Sequence, residues 1–195
     1  MLEELIKLYL HNRNNFLRAY FPERMARPMI LFVKRQGIKH KIVGCEIGVA
    51  RGANTKNIIT VLGYENIKKL YCVDPFASWE CDGRVYDFSS FEAICKKQLR
   101  RYMDKIEFIK KKSSDAVEDL PGDLDFVYID GDHSYKYVFA DLMLYYQKLR
   151  YGGVIGGDDF SGDYLGVVNA VIDFKNKLGL KLYSKNRDYW LIKEK

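Results

Sequence analysis

With 195 residues, 48% of them hydrophobic, the chain can bury one full core but is too short for two comfortable ones. Its 30% charged residues and the lack of any segment dominated by Gly, Pro or Ser are an ordinary soluble globular composition and argue against disorder. The formal charge of +6 lies wholly in residues 1–41, where nine Lys/Arg face three Glu, so any basic surface for nucleic acid, anionic lipid or an acidic substrate belongs there, unless it is only a solvated helical face.

The first twenty residues, MLEELIKLYLHNRNNFLRAY, lack the basic start, apolar centre and small-residue cleavage site of a secretory signal. The longest apolar runs, such as IVGCEIGVA, are far shorter than a membrane span, so no span and a cytoplasmic protein are expected. The four cysteines (Cys45, Cys72, Cys81, Cys95) form no C-x-x-C pair and argue against zinc. Cys45 and Cys72 sit in apolar strand patterns, which suits buried packing.

In chain order, Leu5, Leu8, Tyr9, Phe16 and Tyr20 fall near helical spacing, and PERMARPMILFVKRQG starts a second helical pattern that stops at Gly37. Residues 1–40 are therefore read as an N-terminal helical extension and 41–195 as the main domain. From Lys41 the period changes. KIVGCEI reads as a strand, NTKNIITVLGY as a helix, KKLYCVD as a strand and SSFEAICKKQLRRYM as an amphipathic helix, with WECDGRVYDF before it the most loop-like stretch. Then come KIEFIK (strand), SSDAVEDL (short helix), LDFVYID (strand), SYKYVFADLMLYYQKLR (helix), GGVIGGDD (strand) and LGVVNAVIDFKNKLG (helix). LKLYS and DYWLIK, separated by KNRD, read as a closing antiparallel hairpin. Strict alternation predicts an α/β chain: a Rossmann-like, doubly wound, mostly parallel sheet with a C-terminal antiparallel hairpin.

VGCEIGVARGANT follows the first strand and opens the first helix, where an open parallel sheet binds a nucleotide-like ligand. Its spacing is Glu46-x-Gly48-x-x-x-Gly52 rather than G-x-G-x-x-G. Gly48 permits a tight turn and close backbone approach, and Gly52 lets the helix begin with its N–H groups turned inward. An acidic Glu46 disfavours a pyrophosphate and suits a ligand with an ammonium group. Asp74, ending the second strand, stands where a carboxylate can accept hydrogen bonds from ribose hydroxyls. Each acid alone could merely cap a turn. An adenosine with a cationic amino-acid tail fits the pair better than a dinucleotide does.

FVYIDGDHSY and GGVIGGDDF end two later strands on Asp130, Asp132, Asp158 and Asp159. In a parallel sheet these carboxyl ends face one crevice, and four carboxylates there repel one another unless a cation sits among them. Oxygen-rich, sulfur-free ligands suit Mg²⁺ or a similar hard cation, which could bind a substrate hydroxyl and lower its pKa. The bland alternative is an N-cap at Asp132 and a turn at Asp158-Asp159. His133, with an ordinary pKa near neutrality, is a candidate base or a cap of the following helix.

These motifs resemble the class I S-adenosylmethionine-dependent methyltransferases, with E-x-G-x-x-x-G after the first strand, an acid after the second, and a terminal antiparallel strand. More narrowly, CEIGVARGANT, VDPF, SSDAV, YIDGDHSYKYVFADL and GGVIGGDDF look like the metal-dependent sugar O-methyltransferases that include the macrocin O-methyltransferases. The resemblance covers residues 41–193 and implies cofactor contacts from Glu46, Gly48, Gly52 and Asp74, with Ser114 and Asp115 at the adenine edge. It also implies metal ligation by Asp130, Asp158 and Asp159, with Asp132 a general base for which His133 is the alternative. The expected activity is O-methylation of a small hydroxylated acceptor, such as a sugar or catechol-like ring. The N-terminal helices are expected to act as a lid or a homodimer contact. An RNA methyltransferase using the basic N-terminal surface is a less favoured reading. A non-catalytic nucleoside-binding module is opposed by the aspartate cluster, and a nicotinamide oxidoreductase by Glu46 and its glycine spacing.

Overall fold

The computed structural model describes residues 26–81 and 84–195, so the helix expected over residues 3–20 lies outside the described residues. The second helical pattern appears as α1 (Pro28–Arg35), whose leading proline supplies the fixed φ that suits a first helical turn. Then follow β1 (Ile42–Ile47), α2 (Ala53–Leu62), β2 (Ile67–Val73), β3 (Trp79–Cys81), β4 (Arg84–Tyr86), α3 (Phe91–Leu99) and β5 (Ile106–Ile109). The second half runs α4 (Ser113–Ala116), β6 (Leu124–Ile129), α5 (Tyr135–Lys148), β7 (Leu149–Gly157), α6 (Leu165–Leu178), β8 (Tyr183–Lys185) and β9 (Asp188–Ile192).

The main sheet has the order β5-β2-β1-β6-β7-β9-β8. The first five strands in that order pair in parallel, while β9 runs antiparallel to both β7 and β8. The doubly wound, mostly parallel sheet and the closing hairpin are as expected. One local difference lies in the stretch read as a loop, which contains the antiparallel pair β3 and β4.

Side-chain alternation along the central strands divides the core between the two faces of the sheet. Phe126 and Tyr128 of β6 pack with Met29, Ile30 and Val33 of α1, with Ile58 and Ile59 of α2, and with Leu99 of α3. Val127 and Ile129 of the same strand turn to the other face, among Val138 and Leu142 of α5 and Val171 and Phe174 of α6. Gly44 of β1 faces the first layer, where any side chain would strike the Phe126 ring. Each such large apolar side chain, fully buried, contributes about 1.5–3 kcal/mol. α1 is therefore built into the core of one layer, and its N-terminus is held over the carboxyl ends of the strands by the Met29 N–H, which donates to Asp188 Oδ2 at 3.1 Å.

Candidate active site

Strand order reverses direction between β1 and β6, and a crevice opens outside their carboxyl ends. Gly48 leaves β1 there with φ +84°, and a Cβ on it would collide with the Asp130 carbonyl. Only glycine fits this approach of two strand ends. Gly52, with φ +80°, starts α2 from the left-handed region.

Both acids expected at the cofactor hold this loop. Glu46 is 0% exposed and accepts hydrogen bonds from Thr55 Oγ1 at 2.5 Å and Asn54 Nδ2 at 3.0 Å. Burial pushes its carboxyl up to about 8, against the opposing pull of those two donors. Asp74 accepts the Val49 and Ala50 N–H groups on Oδ2, at 2.9 and 2.8 Å, and the Phe76 N–H on Oδ1 at 2.7 Å. A carboxylate offers about four acceptor positions, so Asp74 keeps room for a further donor.

A cavity of about 940 Å³ opens beside the loop and extends over β6, β7 and β9. Of the six residues expected at the cofactor, Gly48 lines it, while Glu46, Gly52, Asp74, Ser114 and Asp115 do not. Ser114 and Asp115 lie exposed in α4, hydrogen-bonded to each other at 3.0 Å.

On the far side of the cavity the carboxylates converge as the strand ends predict, and arginines stand among them. Arg27 Nη1 lies 2.6 Å from Asp158 Oδ2 and 3.6 Å from Asp188 Oδ1, and its Nη2 lies 3.8 Å from Asp130 Oδ2. Arg187 pairs with Asp159, and its Nε lies 3.8 Å from Asp158 Oδ1. Burial works against the Arg27 charge, but the Tyr128 phenol and the carboxylates of Asp158, Asp188 and Asp130 outweigh it and raise its pKa further. Burial raises Asp130 to about 7 although Arg27 opposes this, and raises Asp188 to about 6. Asp159 adopts φ +65°, a left-handed backbone that costs a non-glycine residue about 1 kcal/mol and is found disproportionately at functional sites.

His133 Nε2 lies 2.9 Å from Asp159 Oδ2, and its ring meets Tyr164 edge to face at 4.8 Å. Burial lowers the His133 pKa although Asp132 and Asp158 oppose this. Asp132 Oδ1 instead accepts the Ser134 N–H at 2.7 Å, forming the turn that leads into α5. One donor atom each from Asp130, His133 and Asp159 lie within 4.8 Å of one another. Asp130 and Asp159 of the expected metal set thus come together with His133, while Asp158 is engaged by Arg27.

Sequence reasoning missed Arg27, Arg187 and Asp188. A hairpin strand antiparallel to β7 must begin where β7 ends, as the pairing of Gly157 with Tyr189 shows. That rule puts the Arg-Asp of KNRD at the site. Arg27 carries no comparable signal, because its position depends on how α1 docks.

A family model described as a methyltransferase domain matches residues 45–160, which contain the glycine loop, Asp74 and the whole carboxylate cluster except Asp188. The chain belongs to this methyltransferase family. A curated relative, the uncharacterized protein R132 of Acanthamoeba polyphaga mimivirus, is 28% identical over 134 residues, or 65% of this chain. The chain spans about half, 54%, of that relative's length. Among solved structures, the methyltransferase PaMTH1 of Podospora anserina, bound to SAH, matches with a TM-score of 0.62 at 15% identity, over 93% of this chain and 85% of its own. A SAM-dependent O-methyltransferase of Thermotoga maritima matches with a TM-score of 0.59 at 11% identity, over 85% of this chain and 64% of its own. At these identities the two structures establish that this methyltransferase shares their fold. Among its described residues no helix is long and apolar enough to cross a membrane.

Proposed function

We propose that the protein transfers the methyl group of S-adenosylmethionine to a hydroxyl oxygen of a small hydroxylated acceptor, a sugar or a catechol-like ring, with a divalent cation at the carboxylate cluster. The observation that carries this reading is that Gly48, at the head of the family's glycine loop, lines the same cavity as Asp130, His133 and Asp159. The names of the Thermotoga and Podospora proteins, one SAM-dependent and the other bound to SAH, support the choice of donor. The loop suits that ligand: Gly48, Val49 and Ala50 line the cavity, and a cationic group brought near Glu46 would draw its carboxyl back toward the ionised form. Asp74, Ser114 and Asp115 are proposed for the nucleoside end.

The donor set also fits a cation, since Asp158 Oδ1 is buried and accepts no hydrogen bond, and donor atoms of Asp130, His133 and Asp159 converge beside it. Asp130, Asp158 and Asp159 would hold it once Arg27 and Arg187 withdraw. Mg²⁺ or a similar ion bound there would lower the pKa of an acceptor hydroxyl. The chain's own residues then position and deprotonate that hydroxyl. His133, kept neutral by burial, can donate its Nε2–H to Asp159, which leaves the Nδ1 lone pair to take the acceptor proton. As the oxygen–carbon bond forms, the sulfur–carbon bond breaks and the thioether leaves; because this leaving group needs little assistance, alignment is the main demand on the site. Ala26, Arg27 and Pro28 line the cavity, which supports the segment leading into α1 as a cover that excludes water, with α1 itself fixed in the core.

Calorimetric titration of S-adenosylhomocysteine, with and without Mg²⁺, tests the scheme on wild type and on an Asp158→Ala, Asp159→Ala double variant. The scheme predicts nucleoside binding in both proteins and a metal response in the wild type alone. Wild type that binds nucleoside with no metal effect would leave the aspartates as structural or as bases, and would end the metal-assisted reading. The cluster of Asp130, His133 and Asp159 supports a second reading in which His133 is the third ligand. In that case His133→Ala would weaken metal binding itself, instead of slowing turnover with metal still bound.

A further inference from the structure

At the opposite, amino-terminal rim of the sheet lies a second cavity, of about 570 Å³, separate from the methyltransferase site. Its walls carry Lys41, Lys68, Lys69 and Arg150 together with His40, against only two carboxylates, Asp123 and Asp125. Asp125, only 1% exposed, pairs with Arg150 and serves as an internal anchor, so the excess positive charge of the walls rests on the three lysines against Asp123. One oxygen, Oδ1, takes Arg150 Nε at 2.6 Å and His40 Nε2 at 2.8 Å, and the other accepts the Val43 N–H at 2.8 Å.

The local backbone is shaped to make this possible. Register shifts occur between Ile42 and Val43 in the pairing of β1 with β2, and between Leu124 and Phe126 in the pairing of β6 with β7. Such irregularities redirect side chains and free backbone groups from the ladder. The freed Val43 N–H and the Asp125 carboxylate satisfy each other, and Arg150 is fixed in place. Its Nη1 donates to the Tyr151 carbonyl at 2.8 Å, and neither contact uses Nη2. Among the described residues Lys41, Lys68 and Lys69 form no ion pair. Val43 and Tyr71, both half-buried, give the cavity an apolar floor.

We propose that this basal cavity binds a phosphorylated small molecule of about mononucleotide size, a volume typical of small-ligand sites. Its phosphates would be held by Arg150, Lys41 and Lys69 and its body by the Val43–Tyr71 floor. A preorganised arginine beside unpaired lysines is the arrangement that recognises phosphate, the arginine giving directed hydrogen bonds and the lysines charge. A solvated basic face would need neither the buried anchor nor the two register shifts.

Inorganic pyrophosphate is the probe, titrated calorimetrically at fixed ionic strength into wild type, a Lys41→Glu, Lys69→Glu variant and a control with Lys175→Glu and Lys177→Glu on α6. Saturable one-to-one binding is expected in wild type and control, with a loss of about tenfold or more in the rim variant for each charge-assisted contact removed. S-adenosylhomocysteine affinity should be equal in all three proteins, and pyrophosphate should not compete with it. A Lys41→Gln, Lys69→Gln variant, whose melting temperature is checked without ligand, serves if charge reversal impairs folding. No saturable binding, or equal binding in the rim variant, overturns the proposal. An RNA oligonucleotide that binds far more tightly than pyrophosphate, with affinity rising with length and falling steeply with salt, also overturns it in favour of a polyanionic partner.

Discussion

Replacing Glu46 by glutamine isolates the cost of a carboxylate buried under the glycine loop. In the folded protein its pKa stands at about 8, against an ordinary 4.5. Between those values the folded state keeps a proton that the unfolded chain has lost. The Glu46 contribution to stability is therefore greatest below the unfolded pKa and is lost as pH rises towards the folded one. At about 1.36 kcal/mol for each pH step of one, the penalty grows by about 2 kcal/mol between about pH 6 and about pH 8. Glutamine retains the shape and can still bond to Thr55 and Asn54, but it does not titrate. Urea unfolding of both proteins across that interval measures the difference, with a common m-value as the check that only stability changed. Asp130, raised to about 7, titrates in the same window, and its own contribution is present in both proteins when variant is compared with wild type. The variant should gain on wild type by about 2 kcal/mol as pH rises from about 6 to about 8. A gap that stays constant, or that closes, would refute the assignment of a protonated Glu46.

Arg27→Gln removes the cation nearest Asp158, so Mg²⁺ or Mn²⁺ should bind more tightly by calorimetry while stability falls by about 1–3 kcal/mol; unchanged metal affinity would mean that Arg27 is not the competitor. His133→Gln should lower kcat by about 10²–10⁴-fold and leave S-adenosylhomocysteine affinity intact, which steady-state rates and titration together would show. Gly48→Ala must place a methyl against the Asp130 carbonyl in a left-handed backbone. It should cost at least about 1–3 kcal/mol in thermal unfolding and abolish S-adenosylhomocysteine binding.

The sheet was legible because β6 and its neighbours are mostly apolar runs of strand length, each interrupted by a single charged residue, and because KNRD is too short to join β8 and β9 in any way but antiparallel. The stretch 79–88 reads as a loop in sequence since three-residue strands such as β3 and β4 leave no measurable period. At the site, the glycine spacing and the strand-end aspartates located the crevice, because both are dictated by where parallel strands stop. The partners of those acids were not legible. Glu46 finds Thr55 and Asn54 within its own βα unit, but the Arg27–Asp158 pair links residues far apart in sequence through the docking of α1. Sequence pattern carries the period of an element and gives little information on which polar tips meet above it.

The antiparallel return of β9 also sets the order of assembly. Met29, near the start of the described chain, donates to Asp188, near its end, and Arg27 spans the same gap to Asp188 while also reaching Asp130 and Asp158. Residues 45–160 can form the glycine loop and bring the aspartates together, but Arg187 must arrive to pair with Asp159, and Asp188 to hold α1 with its Arg27 in place. Contacts of such long sequence separation form late, after loop closure has been paid for by other contacts. During synthesis the carboxylate cluster therefore matures only after the last hairpin leaves the ribosome. Until then α1 has no anchor on β9, and a chain stalled before residue 188 would display an open, strongly acidic crevice.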